Sequence, residues 1–383
     1  MSYSLKMKLL SDQMHLEPVE DTYCIQLSPR KLDELYTTRA MLPNGKQISL
    51  LKTLLSSVCE RNCYYCPFRS GRDFRRASFQ PDEFAKLFMI MHDKGIVDGM
   101  FLSSGVSGRA SYTQDRILAT ADLLRNRYGF MGYLHLKIMP GAEYAQVEQA
   151  MGLADRISIN LEAPNPNRLL KLTPDKEFQN ELLDPIKWSN KIRNRKSPGK
   201  AWKGRWASTA TQFVVGGADE SDLELLSTTD YLSTSLGLSR TYYSAFSPVQ
   251  DTPLESKSPT PLIRQNRLYQ ASFLLRDYKY SLEELPFLGD GNLPLDVDPK
   301  LAWALVNLKE RLVEINSASQ EELLRIPGIG LNGVRAIVSI RKEGKIKYLS
   351  TLKKIGIQTK KVAPFILLDG KRPPIQPSLF SFD

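Results

Sequence analysis

The sequence predicts an α/β protein with a mostly parallel sheet, followed by a small all-α domain. From residue 47 onward, short β-like runs alternate with helix-length amphipathic segments, which implies parallel strands joined by right-handed crossovers. After residue 310 the pattern changes to short helices around glycine turns. A chain of 383 residues has room for one large domain and one small one.

The elements of the larger domain follow from the periodicity of apolar residues. The predicted strands are Gln47–Leu55, Gly99–Leu102, Tyr133–Met139, Arg156–Leu161, Thr209–Val215 and Arg240–Phe246. The predicted helices are Pro81–Lys94, Thr113–Tyr128, Phe178–Arg193, Ser221–Ser235 and Leu262–Tyr278. The first of these helices has Pro81 at its first position and Phe84, Phe88 and Met91 on one face. This alternation fits both an open barrel and a doubly wound sheet.

Cys59, Cys63 and Cys66 follow the first predicted strand in a C-x3-C-x2-C pattern. Three thiolates leave one iron of an iron–sulfur cluster without a protein ligand, and such an iron is a place for chemistry. The alternatives are a short cluster of reduced cysteines, or a structural zinc site, which uses four ligands, with Cys24 or a histidine as the fourth. Tyr65 places an aromatic ring directly before the third cysteine.

These residues resemble the hallmark of the radical S-adenosylmethionine (SAM) enzymes, C-x3-C-x-aromatic-C, with Cys59, Cys63, Tyr65 and Cys66 in the matching positions. The resemblance implies a partial (β/α)6 TIM-like barrel in which the three cysteines hold a [4Fe-4S] cluster. It also implies that SAM chelates the fourth iron and yields a 5′-deoxyadenosyl radical after one electron arrives. The expected electron donor is a flavodoxin or a ferredoxin.

Polar residues at the carboxyl ends of later strands are expected to contact SAM, because active sites of such folds lie at that edge. In the family, the turn after the second strand holds the methionine amino group, and here it contains Ser103, Ser104 and Gly105. Asn160 and Glu162 match the place that contacts the ribose. Gly216 and Gly217 resemble the turn beside adenine.

Composition predicts a cytoplasmic protein without a membrane anchor. Hydrophobic residues make up 42% of the chain, and no apolar run reaches the length of a membrane span. The N-terminus lacks the apolar core and cleavage site of a signal peptide. The chain has only 4 cysteines, which argues for a reducing compartment.

The C-terminal region is strongly basic. The whole chain has a net charge of +10, and residues 311–372 contain 13 Lys and Arg against 5 Asp and Glu. A basic module on a nearly neutral body is typical of a protein that binds a polyanion, most simply nucleic acid.

A glycine turn between two short helices defines this basic module. Ser319 and Glu322 form a capping box, and Pro327–Gly330 ends the helix that it starts. A degraded second copy places Gly356 28 residues after Gly328. Both copies resemble helix–hairpin–helix modules, which implies sequence-independent binding to the DNA backbone; the alternative is a structural or protein-binding helix pair. The candidate nucleic-acid contacts are Gly328, Ile329, Gly330, Arg335, Lys353, Lys354, Gly356, Lys360 and Lys361.

Two further candidates lie near the chain ends. Gln376, Leu379 and Phe380 resemble the short peptide by which bacterial proteins dock to the sliding clamp, and the alternative is a tail without that role. Cys24 is a candidate hydrogen donor to a product radical, against the alternative of a small buried hydrophobe.

These patterns predict five regions and one main function. The regions are an N-terminal segment (1–40), the radical SAM core (41–285), a linker (286–310), a tandem helix–hairpin–helix domain (311–370) and a tail (371–383). Over nearly its full length the chain is most similar to a bacterial family of DNA modification or repair radical SAM proteins, which is linked to a uracil-DNA-glycosylase-like protein. The expected function is radical modification or repair of DNA. The alternatives are an RNA-modifying radical SAM enzyme and a non-enzymatic iron–sulfur DNA-binding protein.

Overall fold

Parallel strands in sequential order form the main sheet of the computed structural model, which describes residues 3–11, 14, 37–41, 45–199 and 201–374. The chain divides into two units. The first contains residues up to Glu220 together with Tyr231–Leu262, and the second contains Ser221–Asp230 and the residues from Ile263 onward. The first unit holds the sheet and the cysteines, and the second holds the basic region.

The sheet of the first unit has seven strands, and they are hydrogen-bonded in the order β1 to β7. The strands are β1 (Thr37–Met41), β2 (Gln47–Leu54), β3 (Gly99–Ser103), β4 (Tyr133–Lys137), β5 (Arg156–Ser158), β6 (Ser208–Val215) and β7 (Arg240–Ala245). Strand β1 is antiparallel to β2, and the other neighbours are parallel. A doubly wound sheet reverses its strand order at a switch point, whereas this order never reverses. The sheet is therefore a curled half-barrel.

One helix precedes β1, and further helices connect strands β2 to β7 as the alternation predicted. They are α1 (Tyr3–Ser11), α2 (Pro81–Asp93), α3 (Ala110–Asp122), α4 (Tyr144–Leu153), α5 (Pro166–Leu172), α6 (Asp184–Arg195) and α7 (Asp222–Leu236). Helix α2 begins at Pro81, where the Glu83 carboxylate accepts a hydrogen bond from the Gln80 amide at 3.1 Å. Its residues Phe84 and Phe88 are fully buried. Strand β1 and helices α1, α4 and α5 had no counterpart among the predicted elements.

The second unit is mainly helical. Its helices are α8 (Leu262–Tyr278), α9 (Pro299–Asn307), α10 (Gln320–Arg325), α11 (Leu331–Ile340), α12 (Leu349–Lys354) and α13 (Thr359–Val362). Two short parallel strands, β8 (Val313–Glu314) and β9 (Ile366–Leu367), pair with each other before α10 and after α13. Residues 286–310, predicted as a linker, include α9, and Ala304 and Leu308 lie in the same hydrophobic core as Ile326 and Ile337. This segment is thus packed into the second unit.

Among the described residues, no helix combines the length and apolar character needed to cross a membrane.

Candidate functional site

A cavity in the first unit gathers residues from the carboxyl ends of strands β2 to β7. Its wall contains all three cysteines of the C-x3-C-x2-C pattern together with Tyr65. The remaining polar or charged residues that line it are Arg61, Ser103, Ser104, Lys137, Asn160, Glu162, Lys176, Gln212, Ser244 and Ser247. Side chains that are far apart in the sequence therefore meet in one place because parallel strands end at the same edge.

Backbone hydrogen bonds hold the cysteine loop on the edge of the half-barrel. The Tyr64 amide donates to the Leu172 carbonyl at 2.8 Å, and the Glu60 amide donates to the Val106 carbonyl at 2.8 Å. Cys63 is buried, while Cys59 and Cys66 are half-buried, and all three are free thiols. The loop thus presents three separate sulfur ligands to the cavity.

Gly105 is needed for the cysteine loop to pack against β3. A Cβ atom at this position would lie 2.3 Å from the Val58 carbonyl oxygen and 3.0 Å from Cys59 Cβ. The Gly105 amide also donates to the Ser56 carbonyl at 2.7 Å. The glycine that was predicted to border SAM therefore also has a local role, since no side chain fits between the turn and the loop.

Burial raises the pKa of the Cys63 and Cys66 thiols, and the nearby Lys176 ammonium partly opposes this effect. Without a metal, these groups are therefore thiols. A metal binds thiolates and releases the protons. Loading of the site should consequently be coupled to proton release.

Glu162 has a strained backbone and a buried carboxylate at the cavity. Its φ is 64°, although it is not a glycine, and its side chain is only 6% exposed. Its amide donates to the Gln212 carbonyl, and its own carbonyl accepts from the Val214 amide at 2.8 Å. Neighbouring β6 thus enforces the left-handed conformation, as expected where strain serves a functional site.

The Glu162 carboxylate is held in its ionised form by two lysines. Burial opposes the charge, but the Lys176 and Lys137 ammonium groups outweigh it and lower the pKa of Glu162. Lys176 Nζ lies 3.1 Å from Glu162 Oε1. The other oxygen, Oε2, is buried without a hydrogen-bond partner in the described structure. The Tyr65 hydroxyl also helps to lower the pKa of Glu162, and Oε2 can accept a hydrogen bond from a hydroxyl or amino group of a bound molecule.

Lys137 and Lys176 are two charged residues of the site that the sequence analysis missed. Lys137 ends strand β4, and its place at the carboxyl end of a predicted strand is a signal that could have found it. Lys176 lies in the loop after α5, where no strand end or motif marks it. Only the folding of that loop against the cysteines brings it to the cavity.

Of the expected SAM contacts, Ser103, Ser104, Gly105, Asn160 and Glu162 line the cavity. The turn that was expected to lie beside adenine does not line the cavity: Gly216 and Gly217 follow β6 but are not part of its wall. Gly217 packs so closely that a Cβ atom would lie 2.7 Å from Leu172 Cδ2. Strand β6 contributes Gln212 and Val214 to the wall instead.

The donor set fits an iron–sulfur cluster with an exchangeable ligand. Each iron of such a cluster takes one thiolate, so the three sulfurs need not converge on one point. Among the described residues, no three Cys, His, Asp or Glu side chains are close enough to hold a single metal ion. Cys59, Cys63 and Cys66 are the residues that would hold the cluster, and the orphaned Glu162 Oε2 suits a polar ligand beside it.

The segment that contains the three cysteines matches a known protein family. Residues 53–195 match the model of the radical SAM superfamily. They form a radical SAM domain. The cofactors of the superfamily are a [4Fe-4S] cluster and SAM.

Several solved structures resemble the chain at low identity. The hydrogenase maturase HydG from Carboxydothermus hydrogenoformans is 16% identical, with a TM-score of 0.44 over 59% of this chain and 51% of HydG. Methylornithine synthase PylB is 13% identical, with a TM-score of 0.45 over 80% of this chain and 75% of PylB. The methyltransferase TsrM from Kitasatospora setae is 12% identical, with a TM-score of 0.40 over 62% of this chain and 45% of TsrM.

The chain spans about half the length of HydG, and these similarities do not indicate a substrate. No curated protein matches the chain significantly.

In the second unit, the predicted nucleic-acid contacts surround two glycine turns. Gly328 and Gly356 have φ values of 85° and 81°. Gly330 is the N-cap of α11. The basic residues near the turns are all exposed: Arg335, Lys353, Lys354, Lys360 and Lys361. Ile329 differs from the others, because its side chain is 1% exposed and its carbonyl accepts a hydrogen bond from Lys300 Nζ at 2.6 Å.

Cys24 and the tail residues Gln376, Leu379 and Phe380 lie outside the described residues. The hydrogen-donor and sliding-clamp roles therefore stay predictions.

Proposed function

We propose that this radical SAM enzyme modifies or repairs DNA, using its basic C-terminal module to hold the polymer. When bound, the cluster and SAM supply a radical that abstracts hydrogen from a nucleobase or sugar. The chain's own part is to hold these cofactors with the cysteine loop and to orient SAM with the polar residues of the cavity. The reacting group of the DNA would have to enter that cavity.

The observation that carries this proposal is the pair of glycine turns in the second unit. Helix α10 ends at Arg325, the chain turns through Gly328, and α11 begins at Leu331. The same order recurs with α12, Gly356 and α13. A backbone turn at a helix N-terminus directs amides outward, where they favour a phosphate.

Packing within the module supports a fixed turn with an open outer face. Ile329 is buried in the core, and Lys300 holds its carbonyl, while Gly328 and Gly356 are exposed. The exposed lysines lie on or beside α12 and α13. Contacts of this kind position a backbone without reading bases, so binding should depend on salt more than on sequence.

The direct test is binding of the full-length protein to duplex DNA and to RNA of the same sequence, by fluorescence anisotropy at several salt concentrations. A variant with Lys353, Lys354, Lys360 and Lys361 changed to Ala should bind DNA more weakly. The slope of log affinity against log salt should fall by about 0.9 for each phosphate that the variant no longer neutralises. Tighter binding to RNA than to DNA would favour the RNA-modifying alternative.

A matched control removes the same charge from the first unit. Lys86, Lys94, Lys171 and Lys191 are exposed there, and changing all four to Ala should leave DNA affinity nearly unchanged. Equal weakening by both quadruple variants would mean that net charge alone attracts the polymer. In parallel, DNA should increase the formation of 5′-deoxyadenosine by the reconstituted enzyme, and no increase with any nucleic acid would contradict the proposed substrate class.

A further inference from the structure

A buried ion pair lies beside the cysteine loop, in the wall of the cofactor cavity. The side chains of Lys176 and Glu162 are 7% and 6% exposed, and Lys176 Nζ lies 3.1 Å from Glu162 Oε1. Burying two charges costs desolvation energy that their attraction does not reliably repay. A contribution to stability is therefore a weak explanation for this ion pair. Its position beside the cysteine loop suggests a functional explanation instead.

The segment that carries Lys176 is fixed against the cysteine loop. The Asn62 amide donates to Asp175 Oδ2 at 2.9 Å, and Cys63 Sγ lies 3.5 Å from Thr173 Oγ1. Lys176 Nζ in turn lies 6.0 Å from the centre of the Tyr65 ring. Lys176, Tyr65 and the three cysteines line the same cavity, so the ammonium lies in the wall that the cysteine loop also forms.

Positive groups outnumber negative ones in the wall that the cysteines share. Arg61, Lys137 and Lys176 line this cavity, and Glu162 is the one carboxylate among its described lining residues. The Lys176–Glu162 pair therefore leaves an excess of positive charge in the cavity wall beside the cysteine loop.

We propose that Lys176 raises the reduction potential of the cluster held by Cys59, Cys63 and Cys66. Reduction by one electron makes the cluster more negative by one charge, and a fixed ammonium stabilises the reduced form more than the oxidised form. The electron comes from a low-potential one-electron donor. Lys176 therefore acts on the cluster electrostatically, without ligating it. This inference depends on the radical SAM domain and not on the proposed nucleic-acid substrate.

The test is an anaerobic redox titration of the reconstituted holoenzyme, followed by the electron paramagnetic resonance signal of the reduced cluster. For Lys176→Met, the ratio of reduced to oxidised cluster at a fixed solution potential should fall on the order of tenfold. Lys176→Arg keeps the charge and should stay close to the wild type. Glu162→Gln removes the opposing charge and should shift the midpoint potential in the opposite direction, to more positive values.

The control is Lys171→Met, which removes one positive charge at an exposed site outside the cavity, where Lys171 pairs with Asp219 at 3.3 Å. Its midpoint potential should match the wild type. The double variant Lys176→Met/Glu162→Gln avoids an unpaired buried carboxylate, and it should also have a lower midpoint than the wild type. An unchanged or higher midpoint in Lys176→Met with full iron content would overturn the proposal. Loss of the cluster from both Lys176→Met and the double variant would also overturn the proposal, because Lys176 would then have a purely structural role.

Discussion

Single residues set the shape and charge of the cofactor cavity. Gly105 leaves space for the cysteine loop, Glu162 accepts a left-handed backbone to aim a carboxylate inward, and Lys176 balances that carboxylate. Each of these features by itself costs free energy of folding. They occur together at the edge of the sheet where the three cysteines lie, and this grouping separates a functional site from ordinary packing.

Gly105→Ala should disrupt the cysteine loop, because its Cβ would lie 2.3 Å from the Val58 carbonyl oxygen. We expect a loss of about 2–4 kcal/mol in the free energy of unfolding and a lower iron content after reconstitution. Gly108→Ala is the control, since Gly108 has a φ of +70° but no atom within 4 Å of the added Cβ. It should cost about 1 kcal/mol and leave the iron content intact. Urea unfolding and iron assays measure both, and normal loading of Gly105→Ala would contradict this account.

Cys59→Ala, Cys63→Ala and Cys66→Ala should each abolish reductive cleavage of SAM, because each removes one of the cluster's three protein ligands. Formation of 5′-deoxyadenosine under dithionite, measured by liquid chromatography, is the assay. Cys24→Ala should retain both the cluster absorbance and the cleavage. Loss of the cluster in that variant would instead support ligation by four cysteines.

At the scale of elements, the periodicity of apolar residues predicted the parallel strands well. Strands β2 to β7 lie within one or two residues of their predicted starts, and α2 and α8 begin where expected. Strand β5 is shorter than predicted and ends at Ser158, because the chain beyond it bends to place Asn160 and Glu162 in the cavity. Helices α4 and α5 were missed because small and polar residues weaken their apolar pattern.

Gly328→Ala tests the first glycine turn of the basic unit. Its φ is +85°, and an added Cβ would lie 3.1 Å from Lys361 Cβ. The substitution should strain the turn and weaken DNA binding by about tenfold, with a stability loss of about 1–2 kcal/mol. Gly344→Ala has no neighbour within 4 Å and should leave affinity unchanged. Anisotropy titrations compare the two variants, and equal affinities would exclude this turn from the interface.

At the scale of the whole molecule, the cofactor cavity and the basic segment 311–372 belong to different units. The first unit contains the cavity, and the second contains the two glycine turns and this basic segment. Each unit has buried apolar residues of its own, with Phe84 and Phe213 in the first and Ile326 and Ile337 in the second. Such a division allows SAM cleavage and the proposed DNA binding to be measured separately.

Removing the cluster should therefore abolish SAM cleavage without abolishing DNA binding. Protein treated with a chelator under oxidising conditions should produce no 5′-deoxyadenosine, yet retain its DNA affinity within about twofold, since the lysines of the second unit contribute most of the phosphate attraction. Anisotropy on matched apo and reconstituted samples is the measurement. A large loss of affinity in the apoprotein would assign the DNA contacts to the cofactor domain instead.

The sequence by itself determined the cysteine motif, the strand–helix alternation and the basic glycine turns, because each is encoded by residues close together in the chain. Only the tertiary structure decided the strand order, which distinguishes a half-barrel from a doubly wound sheet. It also decided that Lys176 faces Glu162, that Gln212 rather than Gly217 lines the cavity, and that α9 packs into the second unit. These features depend on contacts between distant segments, and local periodicity contains no information about such contacts.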